Sequence, residues 1–113
     1  MQNELIEEIE QVGSRIDNLT AIRALQQEID NLASQTVAGW AQGEQPSKIT
    51  KMLVDQQLQR VMRAVPDEFR NGFLFVLKPD TTATEANKIL FQARMAVSMW
   101  MLFEWNCLRN QDL

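Results

Sequence analysis

The sequence predicts an all-α fold, a small bundle of about four helices with an amino-terminal amphipathic helical arm. Apolar residues recur at steps of three and four along most of the 113 residues, as they do on one side of a helix. Residues that begin and end helices flank these stretches. Hydrophobic residues make up 45% and charged residues 23% of the chain, as in an ordinary globular protein of one domain. We therefore expect residues 1–113 to form a single helical domain, from which 2–13 can project as an arm.

The first predicted helix covers either 2–41 or 14–41. Its apolar residues follow alternating steps of four and three at Leu5, Ile9, Val12, Ile16 and Leu19, the spacing of a helix that packs along another helix. Gly13 and the following serine interrupt this stretch with a residue that ends helices and one that begins them. The helix is therefore either continuous or broken near Gly13. A continuous helix would be about 60 Å long, and one end would project from a domain whose radius of gyration is about 13 Å.

Two shorter helices are expected at 48–64 and 66–78. Ser47 is a suitable cap for the first of them. The second has Pro66 at its start and Pro79 after its end, and its apolar residues fall at helical spacing. The five apolar residues 73–77 also fit a strand, but an isolated strand would have no partner for its backbone. The helix is therefore favoured over the strand for this segment.

The last predicted helix covers 83–109. Thr82 and Glu85 have the spacing of a capping box. From 95 to 105 the helix is apolar nearly all round, and one of its apolar stripes consists of Phe91, Met95, Leu102 and Trp105. Such a helix is either surrounded by other helices or buried in an oligomer.

Catalysis is not expected of this chain. It has no histidine, no tyrosine and one cysteine, so most side chains that perform acid-base, metal and nucleophilic chemistry are missing. The four glycines are too widely spaced for a phosphate-binding loop, and Cys107 is predicted to be a small buried side chain. The sequence predicts neither an enzyme nor a cofactor or metal site.

Charge and apolar run lengths indicate the compartment and the kind of partner. The net charge is -4, which disfavours nucleic acid as a ligand, and residues 1–31 alone carry seven acidic and two basic side chains. The strongest apolar run, 95–103, is far shorter than the roughly 20 residues of a membrane span. No basic stretch precedes an apolar run at the amino terminus, and the lone cysteine has no disulfide partner within the chain. We expect a cytoplasmic protein that does not enter a membrane.

These observations favour a non-catalytic protein-binding module, an adaptor, chaperone or inhibitor of a larger protein machine, that acts as a helical oligomer and most simply as a homodimer. The alternatives are a helical protein that sequesters a small ligand or nucleotide, and a regulator associated with nucleic acid. The predicted oligomer interface is the apolar stripe Leu5, Ile9, Val12, Ile16 and Leu19. The candidate contacts for another protein are Glu4, Glu7, Glu8, Lys51, Arg60, Arg63 and Trp105.

Overall fold

Four helices make up the described part of the chain, and no residue within it lies in a strand. A computed structural model describes residues 2–34, 47–72 and 75–110, with side chains from residue 14 onward. The helices are α1 (Gln2–Leu32), α2 (Lys48–Ala64), α3 (Asp67–Arg70) and α4 (Ala83–Arg109). The predicted all-α fold is confirmed.

The first helix is continuous through Gly13. The alternative that begins at residue 14 is therefore wrong, while the predicted end near residue 41 lies outside the described residues. A glycine inside a helix costs about 1 kcal/mol relative to alanine. In a helix of 31 residues, this single penalty is small beside the hydrogen bonds and packing of the remaining turns.

Side-chain caps set the starts of the second and fourth helices, as predicted. Ser47 Oγ accepts a hydrogen bond of 3.1 Å from the backbone N–H of Thr50. At the start of α4, the N–H of Glu85 donates to Thr82 Oγ1 and the N–H of Thr82 donates to the Glu85 carboxylate, both at 3.2 Å. Each bond satisfies a backbone donor that has no partner within the helix, so these two boundaries are encoded locally.

The predicted helix over 66–78 is wrong beyond its first turn. It ends at Arg70, because Asn71 adopts a left-handed conformation with φ of 52° and Gly72 follows with φ of 73°. Asparagine and glycine are the residues that accept this conformation most readily, and a right-handed helix cannot continue through it. Residues 75–78 are neither helix nor strand.

Side chains of α2 satisfy the backbone of this irregular segment. The Leu77 N–H donates to Asp55 Oδ1 at 2.9 Å, and the amide of Gln59 donates to the carbonyl of Phe75. Phe75 and Leu77 are buried, whereas Val76 between them is exposed, which is the alternation of an extended chain. The segment thus covers the core without a neighbouring strand.

The core lies where α1, α2, the 75–77 segment and α4 meet. Its largest fully buried side chains are Ile22, Ile29, Leu58, Leu90, Val61, Val65 and Val97. The two long helices, α1 and α4, run antiparallel. Three side-chain pairs along their contact show this direction: Arg15 with Glu104, Gln26 with Ser98 and Asp30 with Arg94.

The amino-terminal end of α1 extends past the end of α4. Extending the register of the three pairs places Arg109, the last residue of α4, opposite residues 10–15 of α1. The molecule measures 62 × 24 × 19 Å and has a radius of gyration of 17.5 Å, above the roughly 13 Å of a compact chain of this length. The elongated shape follows from the length of the first helix.

Candidate functional site

The fourth helix has two apolar faces, and only one of them packs in the core that the described residues form. Its inner face packs in the core through Ala86, Leu90, Ala93 and Val97. The opposite face, here called the outer face, consists of Phe91, Met95, Met99 and Leu102. Between 48% and 62% of the surface of each of these four residues is exposed.

Helical geometry explains why the four residues form one surface. At 3.6 residues per turn, steps of four, four and three from Phe91 to Leu102 keep them within about a quarter of the circumference. Single exposed apolar residues are common on proteins, whereas a contiguous group marks a place where another molecule binds. The outer face is therefore a candidate for a functional surface in the described part of the chain.

A groove lies on each side of the outer face. The first, called the α1/α4 groove, has a volume of about 350 Å³ and is lined by Ile16, Leu19, Thr20, Arg23, Met101 and Trp105. The second has a volume of about 210 Å³ and runs between Met95 and Met99 on one side and Phe69 and Phe75 on the other. Phe69 also contacts Phe103 of α4, with ring centroids 5.5 Å apart. The apolar surface thus continues from α4 onto its neighbours.

Three residues predicted from sequence come together in the α1/α4 groove. Ile16 and Leu19 were predicted at an oligomer interface and Trp105 at a partner contact, and all three line this groove. Ile16 is 49% exposed and Trp105 is 53% exposed. A single partner placed in this groove would contact all three residues. Both predicted roles remain predictions.

The remaining members of the predicted interface lie in the amino-terminal part of α1. Leu5, Ile9 and Val12 belong to the helix Gln2–Leu32, as do the glutamates at 4, 7 and 8. Their side chains lie outside the described part, so their predicted contacts remain predictions.

The basic candidates on α2 do not form one exposed surface. Lys51 is only 9% exposed, and its ammonium donates to the carbonyl of Pro79 at 2.9 Å, so it has little surface to offer a partner. Arg60 pairs with Glu28 of α1 at 2.9 Å. Arg63 alone of the three is exposed without an ion pair among the described residues.

A buried carboxylate that sequence reasoning did not single out fixes the position of α1 on α4. Glu104 is 6% exposed and accepts from Arg15 at 2.6 Å and from Asn18 at 3.5 Å. Burying a charge is costly unless it is paired and hydrogen-bonded. The signal was present in the sequence, since Glu104 falls four residues after Trp100 on a stripe that is otherwise apolar.

Chemical groups elsewhere are sparse. Cys107 is half-buried and free, and no three histidine, cysteine, aspartate or glutamate side chains in the described part are placed to hold a metal ion. Three of the six methionines, Met52, Met95 and Met99, are about half exposed, whereas Met62 is buried. Methionine adapts its shape to different contacts, so two of these exposed residues give the outer face a deformable surface.

The fold and this surface together define a class: an all-α protein of four described helices whose last helix has a half-exposed apolar face. A comparison with known protein families, curated proteins and solved structures found no significant match for the chain. No helix in the described ranges combines the length and apolar character needed to cross a bilayer.

Proposed function

We propose that this protein is a non-catalytic protein-binding module and that it binds another protein through the outer face of α4. The observation that carries the proposal is the exposure of Phe91, Met95, Met99 and Leu102 as one stripe on a helix whose other face is already packed. Fully burying one large apolar side chain contributes about 1.5–3 kcal/mol. Since each of the four is about half exposed, a partner that covers them gains roughly 1 kcal/mol from each.

The charges around the stripe indicate the chemistry of the partner surface. Lys88 and Arg109 lie on the same side of α4 as the outer face, Arg94 lies at its edge towards α1, and all three are exposed. Arg94 already pairs with Asp30 at 3.0 Å. A surface with an apolar centre and an acidic rim complements this arrangement, because opposite charges at the rim favour correct encounter and register. An amphipathic helix with acidic flanks is the simplest such partner.

The proposal includes self-association and a cytoplasmic location. A homodimer is supported by the second exposed apolar region at Ile16 and Trp105, which lies apart from the centre of the outer face. The single free cysteine supports a reducing compartment. The roles of adaptor, chaperone and inhibitor all use such a binding surface.

The test is affinity capture from the host with three forms of the protein. Leu102→Asp places a charge within the outer face, and Gln57→Asp adds the same charge at an exposed position of α2, away from the outer face. We expect one specific protein to be retained by the wild type and by Gln57→Asp and to be lost with Leu102→Asp. Circular dichroism must show equal helix content in all three forms.

Two further measurements separate the proposal from the other functions. A rise in melting temperature with a nucleotide panel would indicate a small-ligand binder, and a probe shift with steep salt dependence would indicate a nucleic-acid binder. Either result, or a captured protein that Leu102→Asp retains equally well, would contradict the proposed role of the outer face.

A further inference from the structure

The first helix carries two apolar stripes that face different directions. The stripe used by the fold consists of Ile22, Leu25, Ile29 and Leu32, which pack in or against the core. The amino-terminal stripe, Leu5 to Leu19 at steps of four and three, lies about 140° around the helix from it at 3.6 residues per turn. After Leu19 the amino-terminal stripe becomes polar, with Arg23 as its next member. Among the described residues, the packing of α1 in the core therefore does not account for this stripe.

The fold also prevents the amino-terminal stripe from turning back onto its own body. The helix is continuous through Gly13, so residues 2–9 continue in the direction of α1. These residues pass the end of α4, which lies opposite residues 10–15. At Ile16, where the side chains of the stripe are described, 49% of the residue is exposed.

We infer that the amino-terminal stripe is covered by a second copy of this chain, with the two α1 helices antiparallel. Each copy then places its residues 2–5 along the α1/α4 groove of the other, and residues 9–12 of the two copies face one another. This inference names the contact of the self-association that belongs to the proposed function, and it does not use the outer face of α4.

The heptad pattern gives the register of this contact. In an antiparallel helix pair, an a position of one helix lies opposite a d position of the other. With steps of four and three, this pairs Leu5 with Ile16 of the second copy, and Ile9 with Val12 of the second copy. The arrangement is isologous, because each pair occurs twice about a two-fold axis, as in most homodimers.

Charge selects the antiparallel direction. A parallel pair would place Glu4, Glu7, Glu8 and Glu10 of both copies side by side, where like charges repel. In the antiparallel register, Glu8 lies opposite residue 13 of the second copy, about two positions along the helix from Arg15. The Arg15 side chain keeps 30% of its surface exposed beside Glu104, which leaves it accessible to a second carboxylate.

The groove supplies the rest of the contact. Leu5 of one copy, placed opposite Ile16, lies at the wall formed by Ile16, Met101 and Trp105 of the other. Large aromatic side chains in partly enclosed apolar surroundings are typical anchors of protein interfaces. Arg23 lines the same groove and is exposed, about one turn beyond the position that lies opposite Gln2 of the second copy.

Disulfide trapping tests the register directly, in a Cys107→Ser background. Under mild oxidation we expect Leu5→Cys/Ile16→Cys to form covalent dimers and neither single variant to do so. Positions 5 and 16 of one helix are about 16 Å apart, beyond the roughly 7 Å that a disulfide can span between Cα atoms. Any disulfide in the double variant is therefore between copies. Covalent dimers of Leu5→Cys alone would show a parallel pair and overturn the inference.

Sedimentation across a concentration series gives an independent readout. We expect the wild type to be a dimer and Ile9→Asp to be a monomer with unchanged helix content. Gln11→Asp adds the same charge on another side of α1 and is expected to remain dimeric. A monomeric wild type, or a dimer whose double-cysteine variant does not cross-link, overturns the inference.

The two proposals fail separately. If Ile9→Asp is monomeric and still captures the partner protein, both contacts exist and are independent. If no cross-linking occurs but capture is lost with Leu102→Asp, only the dimer contact is refuted. If cross-linking occurs and Leu102→Asp captures normally, only the proposed outer-face function is refuted.

Discussion

Replacing Arg15 tests the contact that sets the register of the two long helices. Arg15→Ala leaves the carboxylate of Glu104, which is 6% exposed, with only Asn18 at 3.5 Å. Removing one member of a fully buried ion pair costs about 3–5 kcal/mol. Because the Arg15 side chain is 30% exposed, water can reach the carboxylate after the substitution, and we expect a loss of about 2 kcal/mol in the free energy of unfolding.

A double-mutant cycle separates the pairing from the packing. Glu104→Leu removes the buried charge and fills a similar volume, and such apolar replacements of buried ion pairs are often neutral or stabilising. In that background Arg15→Ala should cost less than about 0.5 kcal/mol, which gives a coupling energy of about 1.5 kcal/mol or more. Urea unfolding followed by circular dichroism at one fixed protein concentration measures all four forms.

An exposed ion pair provides the control. Arg60 and Glu28 are 2.9 Å apart, but their side chains are 71% and 41% exposed. Arg60→Ala should therefore change the stability by less than about 1 kcal/mol. If Arg15→Ala lowers the stability as little as Arg60→Ala does, the contact between Arg15 and Glu104 neither stabilises the fold nor sets the register of the two long helices.

Three further substitutions test local features. Thr82→Ala should cost about 1 kcal/mol by removing the cap of α4, measured as a shift in the urea midpoint; an unchanged midpoint would contradict the capping box. Gly72→Ala should cost about 1 kcal/mol in the free energy of unfolding. The cause is backbone strain alone, because an added Cβ would meet no atom within 4 Å. Ser47→Gly is the control and should cost less, since glycine is tolerated at that cap. Asp55→Ala should cost about 1–3 kcal/mol by leaving the Leu77 N–H without its acceptor, and hydrogen exchange should show faster loss of that amide; unaltered protection would refute the anchoring role.

The helices that the sequence predicts best are those with side-chain caps. The capping hydrogen bonds at Ser47 and at Thr82 join residues that are three positions apart. The sequence pattern that predicts each helix start therefore contains both partners of the bond. The continuous helix through Gly13 could not be chosen from sequence, because a glycine followed by a serine fits a break and a continuation equally. Only the backbone of α1 resolves that alternative.

The segment after Arg70 shows where periodicity fails. Phe69, Phe73, Val76 and Leu77 have helical spacing, yet the left-handed Asn71 and Gly72 end the helix. The neighbouring Asn and Gly were a local signal that the apolar pattern outweighed in the prediction. The acceptor for Leu77 comes from Asp55, 22 residues earlier, and no local pattern contains that contact.

The candidate surface was partly visible in the sequence. The stripe of Phe91, Met95, Leu102 and Trp105 and the stripe ending in Ile16 and Leu19 follow from helical spacing. Which stripes stay uncovered depends on how many helices surround α4 and on the direction in which α1 crosses it. Neither property follows from spacing within one helix.

By itself the sequence determined that the chain is helical, where α2 and α4 begin and which residues share an apolar stripe, because each property arises from neighbours a few residues apart. The tertiary structure decided which stripe of α1 enters the core, that Lys51 is enclosed while Trp105 is exposed, and that Ile16 meets Trp105 across a groove. Those outcomes depend on contacts between residues as far apart as Arg15 and Glu104, whose pairing follows from the packing of whole helices.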